Sequence, residues 1–145
     1  MNMTPVRVIV AEDFDRFRRY ICSTLLSRSN VHLVSEISDG LEAVQRTQEM
    51  QPDLILLDIG LPSLNGIEAA RRIRELAPQT KILFVTQEDS PDVVRKAFNA
   101  GGLGYVVKID AASDLLAAVD VVLRGDIFVP GRFAHFMNDT GLTGP

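Results

Sequence analysis

Five short apolar runs, each followed by an amphipathic stretch, constrain the fold of this chain more than any other feature. The runs are Val6 to Ala11, Val31 to Val34, Leu54 to Leu57, Ile82 to Val85 and Tyr105 to Val107. Most are apolar at consecutive rather than alternate positions, which is how strands covered on both faces read. The stretches between them have helical spacing. Phe14, Phe17, Ile21 and Leu25 form one stripe, and Ile67, Ala70, Ile73 and Leu76 another. Ser90-Pro91 opens a helix bearing Val93, Val94, Ala97 and Phe98, with Ser90 as its cap. Leu115, Leu116, Val119, Val122 and Leu123 mark the last helix, which Gly125 stops. The stretch from Leu41 to about Met50 is the weakest, bounded by Gly40 and Pro52. Regular alternation of strand and helix predicts an α/β fold, a doubly wound parallel sheet with helices on both faces.

At 145 residues one domain is expected, with enough chain to close a core. Lys plus Arg number 15 against 19 Asp plus Glu, a net charge of −4, which argues against a broad nucleic-acid surface. No apolar run approaches the roughly 20 residues of a membrane span, and the start does not read as a signal peptide. A cytoplasmic location is expected. The one cysteine, Cys22, reads as a packed apolar residue, and His32 and His135 have no ligand partners in view. Arg16, Arg18 and Arg19 read as a solvated helix face.

In an open parallel sheet, sites form at the carboxyl ends of the strands. Glu12 and Asp13 follow the first run, Asp58 the third, Thr86 the fourth and Lys108 the fifth; the second offers only Ser35 and Glu36. Taken singly, each has an ordinary reading as a helix-terminal charge, turn residue, cap or solvated lysine. Together they make a chemical set. Clustered carboxylates suit a hard divalent cation such as Mg²⁺. Cation, ammonium and hydroxyl suit a phosphoryl group, leaving one carboxylate free as nucleophile.

The segments VRVIVAEDF, PDLILLDIGLPSLNGIEAARRIR, KILFVTQ and AGGLGYVVK resemble the receiver domain of two-component response regulators, from about Val6 to about Arg124. The resemblance implies a flavodoxin-like five-stranded sheet of order 2-1-3-4-5. It implies Asp58 as phospho-acceptor, Asp13 as direct metal ligand, Glu12 as its partner through water, and the Gly60 backbone carbonyl as a further ligand for Mg²⁺. Thr86 and Lys108 would engage the phosphoryl group, and Tyr105 would change rotamer as Thr86 moves. A histidine kinase would be the donor, and the receiver would catalyse its own phosphorylation and dephosphorylation.

Two positions depart from the family's pattern. Gln87 stands where a small residue is usual, which bears on the rate of phosphorylation. Ile109 stands where many receivers have proline, so a trans loop is expected. Residues 1–125 read as the receiver and residues 126–145 as a linker or tail, within which Phe133, Phe136 and Met137 fit a short helix. Gly125 to Pro130 is similar to the segment after NarL-type receivers. The chain is therefore expected to be a fragment of a transcription regulator whose helix-turn-helix lies outside it, the competing reading being a stand-alone receiver with a short tail, with homodimerisation on phosphorylation and no direct DNA binding by these residues. Two other readings stay open: a pseudo-receiver that binds without phosphorylation, and a haloacid-dehalogenase-like hydrolase using Asp13 with Asp15.

Overall fold

The computed structural model describes residues 4–135. Strands β1 (Val6–Ala11), β2 (Val31–Ile37), β3 (Leu54–Leu57), β4 (Lys81–Thr86) and β5 (Gly104–Val107) alternate with helices α1 (Asp15–Leu25), α2 (Gly40–Met50), α3 (Gly66–Leu76), α4 (Pro91–Asn99) and α5 (Ala111–Leu123). The strands form one parallel sheet of order β2-β1-β3-β4-β5, as expected. Alternation of side chains divides each strand between two cores. Ile9, Ile55, Ile82 and Phe84 pack with Ala43 of α2, Ile73 of α3 and Ala97 of α4. Val8, Val10, Leu56 and Val106 pack with Ile21 and Leu25 of α1 and with Leu115 and Val119 of α5. Helices thus cover both faces, which is why the central strands tolerate no polar alternation.

The element boundaries correct the sequence reading at several points. β2 runs on to Ile37, so Ser35 and Glu36 lie within the strand rather than beyond it. β2 is an edge strand, and its polar residues stay partly in water. Its pairing with β1 shifts register between Val8 and Ile9, whose partners are Leu33 and Ser35; Val34 is bulged out. α2, the weakest helix by pattern, has a clear cap: Asp39 accepts a hydrogen bond from the Glu42 N–H at 3.0 Å. Ser90 precedes α4 in extended conformation, but its hydroxyl makes no capping bond. Phe14 leaves the apolar stripe because α1 begins one residue later; its ring is 61% exposed.

α3 is held hard against the end of β3. Asn65 caps it by accepting from the Glu68 N–H at 3.0 Å, and the Gly66 N–H donates to Ile59 O at 2.8 Å. A Cβ at Gly66 would overlap the main-chain oxygen of Asp58. Gly66→Ala is therefore expected to cost roughly 1–3 kcal/mol of stability, as overpacking commonly does, read as a lower urea midpoint at unchanged slope.

Cys22 is buried between α1 and the sheet, as expected of a packed apolar residue. Burial, and then the charge of Glu36, pushes its thiol from 9.0 up to about 12. A raised thiol keeps its proton in the fold after the unfolded chain has lost it. Its contribution to stability is complete below pH 9.0 and is lost as pH rises toward about 12. At pH 8 the folded protein should resist a thiol reagent that modifies the urea-unfolded chain at once.

Candidate functional site

Strand register gathers the polar residues. Ala11 pairs with Leu57, Leu57 with Phe84, and Phe84 with Tyr105. Glu12 and Asp58 therefore leave the sheet at one level, and Thr86 stands two residues beyond Phe84. The backbone continues the ladder at this edge: Asp58 N–H donates to Ala11 O at 3.0 Å and Glu12 N–H to Ile37 O at 2.8 Å. Lys108 opens a short 3₁₀ turn, Lys108–Asp110, directly after β5.

Asp13, Asp58, Gly60, Thr86, Gln87 and Lys108 line one open cleft of about 420 Å³, with Phe14, Phe17 and Glu88 at its walls. Carboxylate oxygens of Glu12, Asp13 and Asp58 lie within 4.8 Å of one another. Glu12 and Asp58 are buried, and Asp13 is exposed at the mouth. Lys108 Nζ lies 2.8 Å from Glu12 Oε1 and 3.2 Å from Asp58 Oδ2. The first contact is one of charge without good hydrogen-bond alignment; the second is a hydrogen bond. The same ammonium sits 4.8 Å from the centre of the Phe17 ring.

These contacts decide the ionisation of the pair. Burial raises Glu12 above its ordinary 4.5, Lys108 opposes the rise, and the neighbouring Asp58 charge adds to it. Burial works to lower Lys108, but Glu12 and Asp58 more than offset it and hold the ammonium above its ordinary value. Three carboxylates this close repel strongly, and a donor set of oxygens around them suits a hard divalent cation. The residues present fit such an ion: a cluster of acidic oxygens beside a cleft open to solvent.

Tyr105 is fully buried, and its hydroxyl donates to Glu88 O at 2.9 Å. Its ring stands among Phe84, Phe98 and Phe133, with centroids 6.3, 6.5 and 6.3 Å away. Burial and then the nearby Glu88, Asp58 and Asp89 charges push the phenol well above its ordinary value. Thr86 is buried, and its Oγ1 accepts from the Glu88 N–H at 3.5 Å. The loop after β4 thus touches both residues.

Arg18 was expected on a solvated face, and the structure corrects this. Its Nη1 donates to Glu12 O at 2.9 Å, its Nη2 to Asp15 Oδ1 at 2.7 Å, and its Nε lies 3.4 Å from Glu36. It pins the acidic loop to β2. Arg16 and Arg19 are exposed as expected. The contacts of Phe17 with Lys108 and of Arg18 with Glu36 escaped the sequence reading because they are made only across the fold. Asp15 is held by Arg18 outside the carboxylate cluster, so no Asp13–Asp15 hydrolase pair forms. Among the described residues, neither His32 nor His135 joins a metal-capable cluster.

The family model of the response regulator receiver domain matches residues 8–120. The chain belongs to that family. Among its relatives, the response regulator protein VraR of Staphylococcus aureus is 33% identical over 134 residues, 92% of this chain and 64% of VraR. The transcriptional regulatory protein DegU of Brevibacillus brevis is 29% identical over 135 residues, 93% of this chain and 57% of DegU. This receiver therefore spans about three fifths of the length of those relatives. A LuxR-family two-component response regulator from Aurantimonas sp. SI85-9A1 superposes with a TM-score of 0.88 at 28% identity, covering 96% of this chain and 99% of the other. The signal receiver domain of NarL from Mycobacterium tuberculosis gives 0.79 at 29% identity, covering 84% and 98%. Among the described residues, no helix of the receiver is long and apolar enough to cross a membrane.

Lys108 carries the electrostatic balance of the site. Glu12, with its raised value, disfavours the fold as pH climbs through 4.5, and Lys108 limits that cost. Lys108→Met should destabilise the receiver at pH 7 by about 1–3 kcal/mol, below the 3–5 of fully buried pairs because the ammonium keeps some contact with water. The loss should shrink toward pH 4, where Glu12 takes up a proton; urea unfolding at both pH values measures it.

Proposed function

We propose that this receiver accepts a phosphoryl group on Asp58 from a histidine kinase and uses it to switch a protein-interaction surface. The observation that carries the reading is the pairing of Lys108 with both Glu12 and Asp58 at the mouth of an open cleft. One oxygen of Asp58 attacks phosphorus, an acyl phosphate bond forms, and the bond from phosphorus to the donor imidazole breaks, its electron pair leaving with that nitrogen. Glu12, Asp13, Asp58 and the Gly60 carbonyl would hold Mg²⁺, which when bound neutralises charge on the phosphoryl oxygens. Lys108 is already within reach of Asp58 and supplies a second positive charge. The Thr86 hydroxyl is the group placed to follow the phosphoryl oxygen, and Tyr105 responds to it through the shared loop at Glu88. Hydrolysis of the acyl phosphate, also assisted by these groups, resets the switch.

The relatives are regulators longer than this chain, and DegU is named as transcriptional, which supports a DNA-binding output domain outside these residues. On that reading the chain works in the cytoplasm, dimerises when phosphorylated, and does not itself touch DNA. A binding module without phosphorylation is the second reading, favoured by one observation: Gln87 lines the cleft.

Beryllofluoride mimics the phosphoryl group and tests both. With Mg²⁺ it should shift the amides of Asp58, Thr86 and Tyr105, and Asp58→Asn should abolish the response. Lys108→Ala should slow phosphorylation by a small-molecule donor about 10²–10³-fold, the usual effect of losing one charge-stabilising group. Gln87→Ala should speed it. Silence of the unmodified receiver at millimolar reagent would overturn phosphorylation in favour of the binding module.

A further inference from the structure

The segment after α5 does not leave the domain at Gly125. Phe128 N–H donates to Leu103 O at 2.9 Å, and Tyr105 N–H donates to Phe128 O at 3.3 Å, so Phe128 caps the free edge of β5 at Gly104. The chain then turns at Pro130, and a short 3₁₀ turn, Gly131–Phe133, brings Phe133 onto the core. Phe133 is buried, and its ring meets that of Tyr105 edge-on, at 90°. Arg132 grips Asp110 with two nitrogens, Nε at 2.9 Å and Nη2 at 2.8 Å. Asp110 lies two residues beyond Lys108, in the same 3₁₀ turn. The expected short helix here involves Phe133 as anticipated, while Phe136 and Met137 lie outside the described residues.

We infer that the chain's own Phe128-to-Phe133 segment reads the state of the site by latching onto Tyr105 and Asp110. The inference rests on the phosphorylation reading above. Both residues that the segment grips are tied to the site. Tyr105 is fully enclosed and Phe133 forms one wall of its enclosure, so a change in the packing of either ring bears on the other. Lys108 holds Asp58 Oδ2 at 3.2 Å, where a group on that oxygen would have to be accommodated, and Asp110 ties the same turn to Arg132. The Arg132–Asp110 pair is 39% and 31% exposed, so it sets register more than strength. The buried ring of Phe133 is the stronger anchor. The latch therefore favours the arrangement in which Tyr105 and the turn at Asp110 stand as they do, and opposes occupation of Asp58 to the extent that this moves them. By reciprocity, occupation of Asp58 must loosen the segment by the same factor.

Beryllofluoride with Mg²⁺ tests this on the intact chain and on Arg132→Gln and Phe133→Leu, neither of which touches the cleft. In the unmodified chain, binding should accelerate amide exchange at Phe128, Tyr105 and Phe133 at least about fivefold, the low end of ordinary couplings. Both variants should bind beryllofluoride more tightly, by a similar factor for Phe133→Leu and a smaller one for Arg132→Gln. Arg132→Gln is at the surface and is expected to fold, which keeps the test valid if Phe133→Leu does not. Amide shifts at Asp58 and Thr86 with unchanged exchange at Phe128 and Phe133, or unchanged or weakened affinity in the variants, overturn the latch alone. Absence of any shift at Asp58 and Thr86 in the unmodified chain overturns the phosphorylation reading and the latch with it.

Discussion

The structure turns on one ammonium group. Glu12 and Asp58 are both buried at the end of the sheet, with Asp13 beside them, and Lys108 Nζ reaches both buried carboxylates. Without a positive charge there, Glu12 would take up a proton or the loops that carry the two carboxylates would open. The rest of the carboxyl edge is arranged around that balance. Phe17 supplies a ring face to the same ammonium. Arg18 fixes the backbone of Glu12 from behind, so the acidic loop cannot relax away from its neighbours. Gly66 lets α3 approach the Asp58 carbonyl closely, which fixes where β3 stops. A site held under mutual repulsion responds to any added charge.

A second chain of contacts leads away from the edge. Thr86 and Tyr105 share Glu88 in the loop after β4, one through its N–H and the other through its carbonyl. Tyr105 then lies in an aromatic cluster with Phe84, Phe98 and Phe133, so its ring links the loop to α4 and to the segment after α5. Tightly packed rings of this kind move between discrete arrangements rather than by gradual deformation. The geometry accordingly offers a route from a chemical event at Asp58 to the far side of β5.

Much of this was legible from the residues. β1, β3 and β5 announce themselves because both faces are covered and nearly every position is apolar, Arg7 of β1 excepted. The polar residues after them could be assigned to one edge because parallel strands end on one side. What stayed hidden had local causes. β2 lies at the edge of the sheet, so its polar Ser35 and Glu36 read as a strand end. Asp39 did not stand out as a cap beside a weak apolar pattern. Phe14 fell on the stripe of α1 by spacing alone, although the helix begins after it. The Gly- and Pro-rich stretch after Arg124 read as a linker, but Phe128 and Phe133 find partners on β5. Of these, β2 and the segment after Arg124 depend on neighbours distant in sequence.

The sequence by itself determined the layering, the parallel sheet and the set of groups at its carboxyl edge. Those follow from periodicity and from strand direction, which are properties of consecutive residues. Only the tertiary structure decided which charges meet. Lys108 and Asp58 are fifty positions apart, Arg132 and Asp110 twenty-two, and Arg18 reaches Glu36 across two elements. Strand register, helix docking and the burial of Phe133 bring these pairs within hydrogen-bonding or ion-pair distance. Electrostatic interaction depends on separation and burial, and neither is a function of sequence spacing.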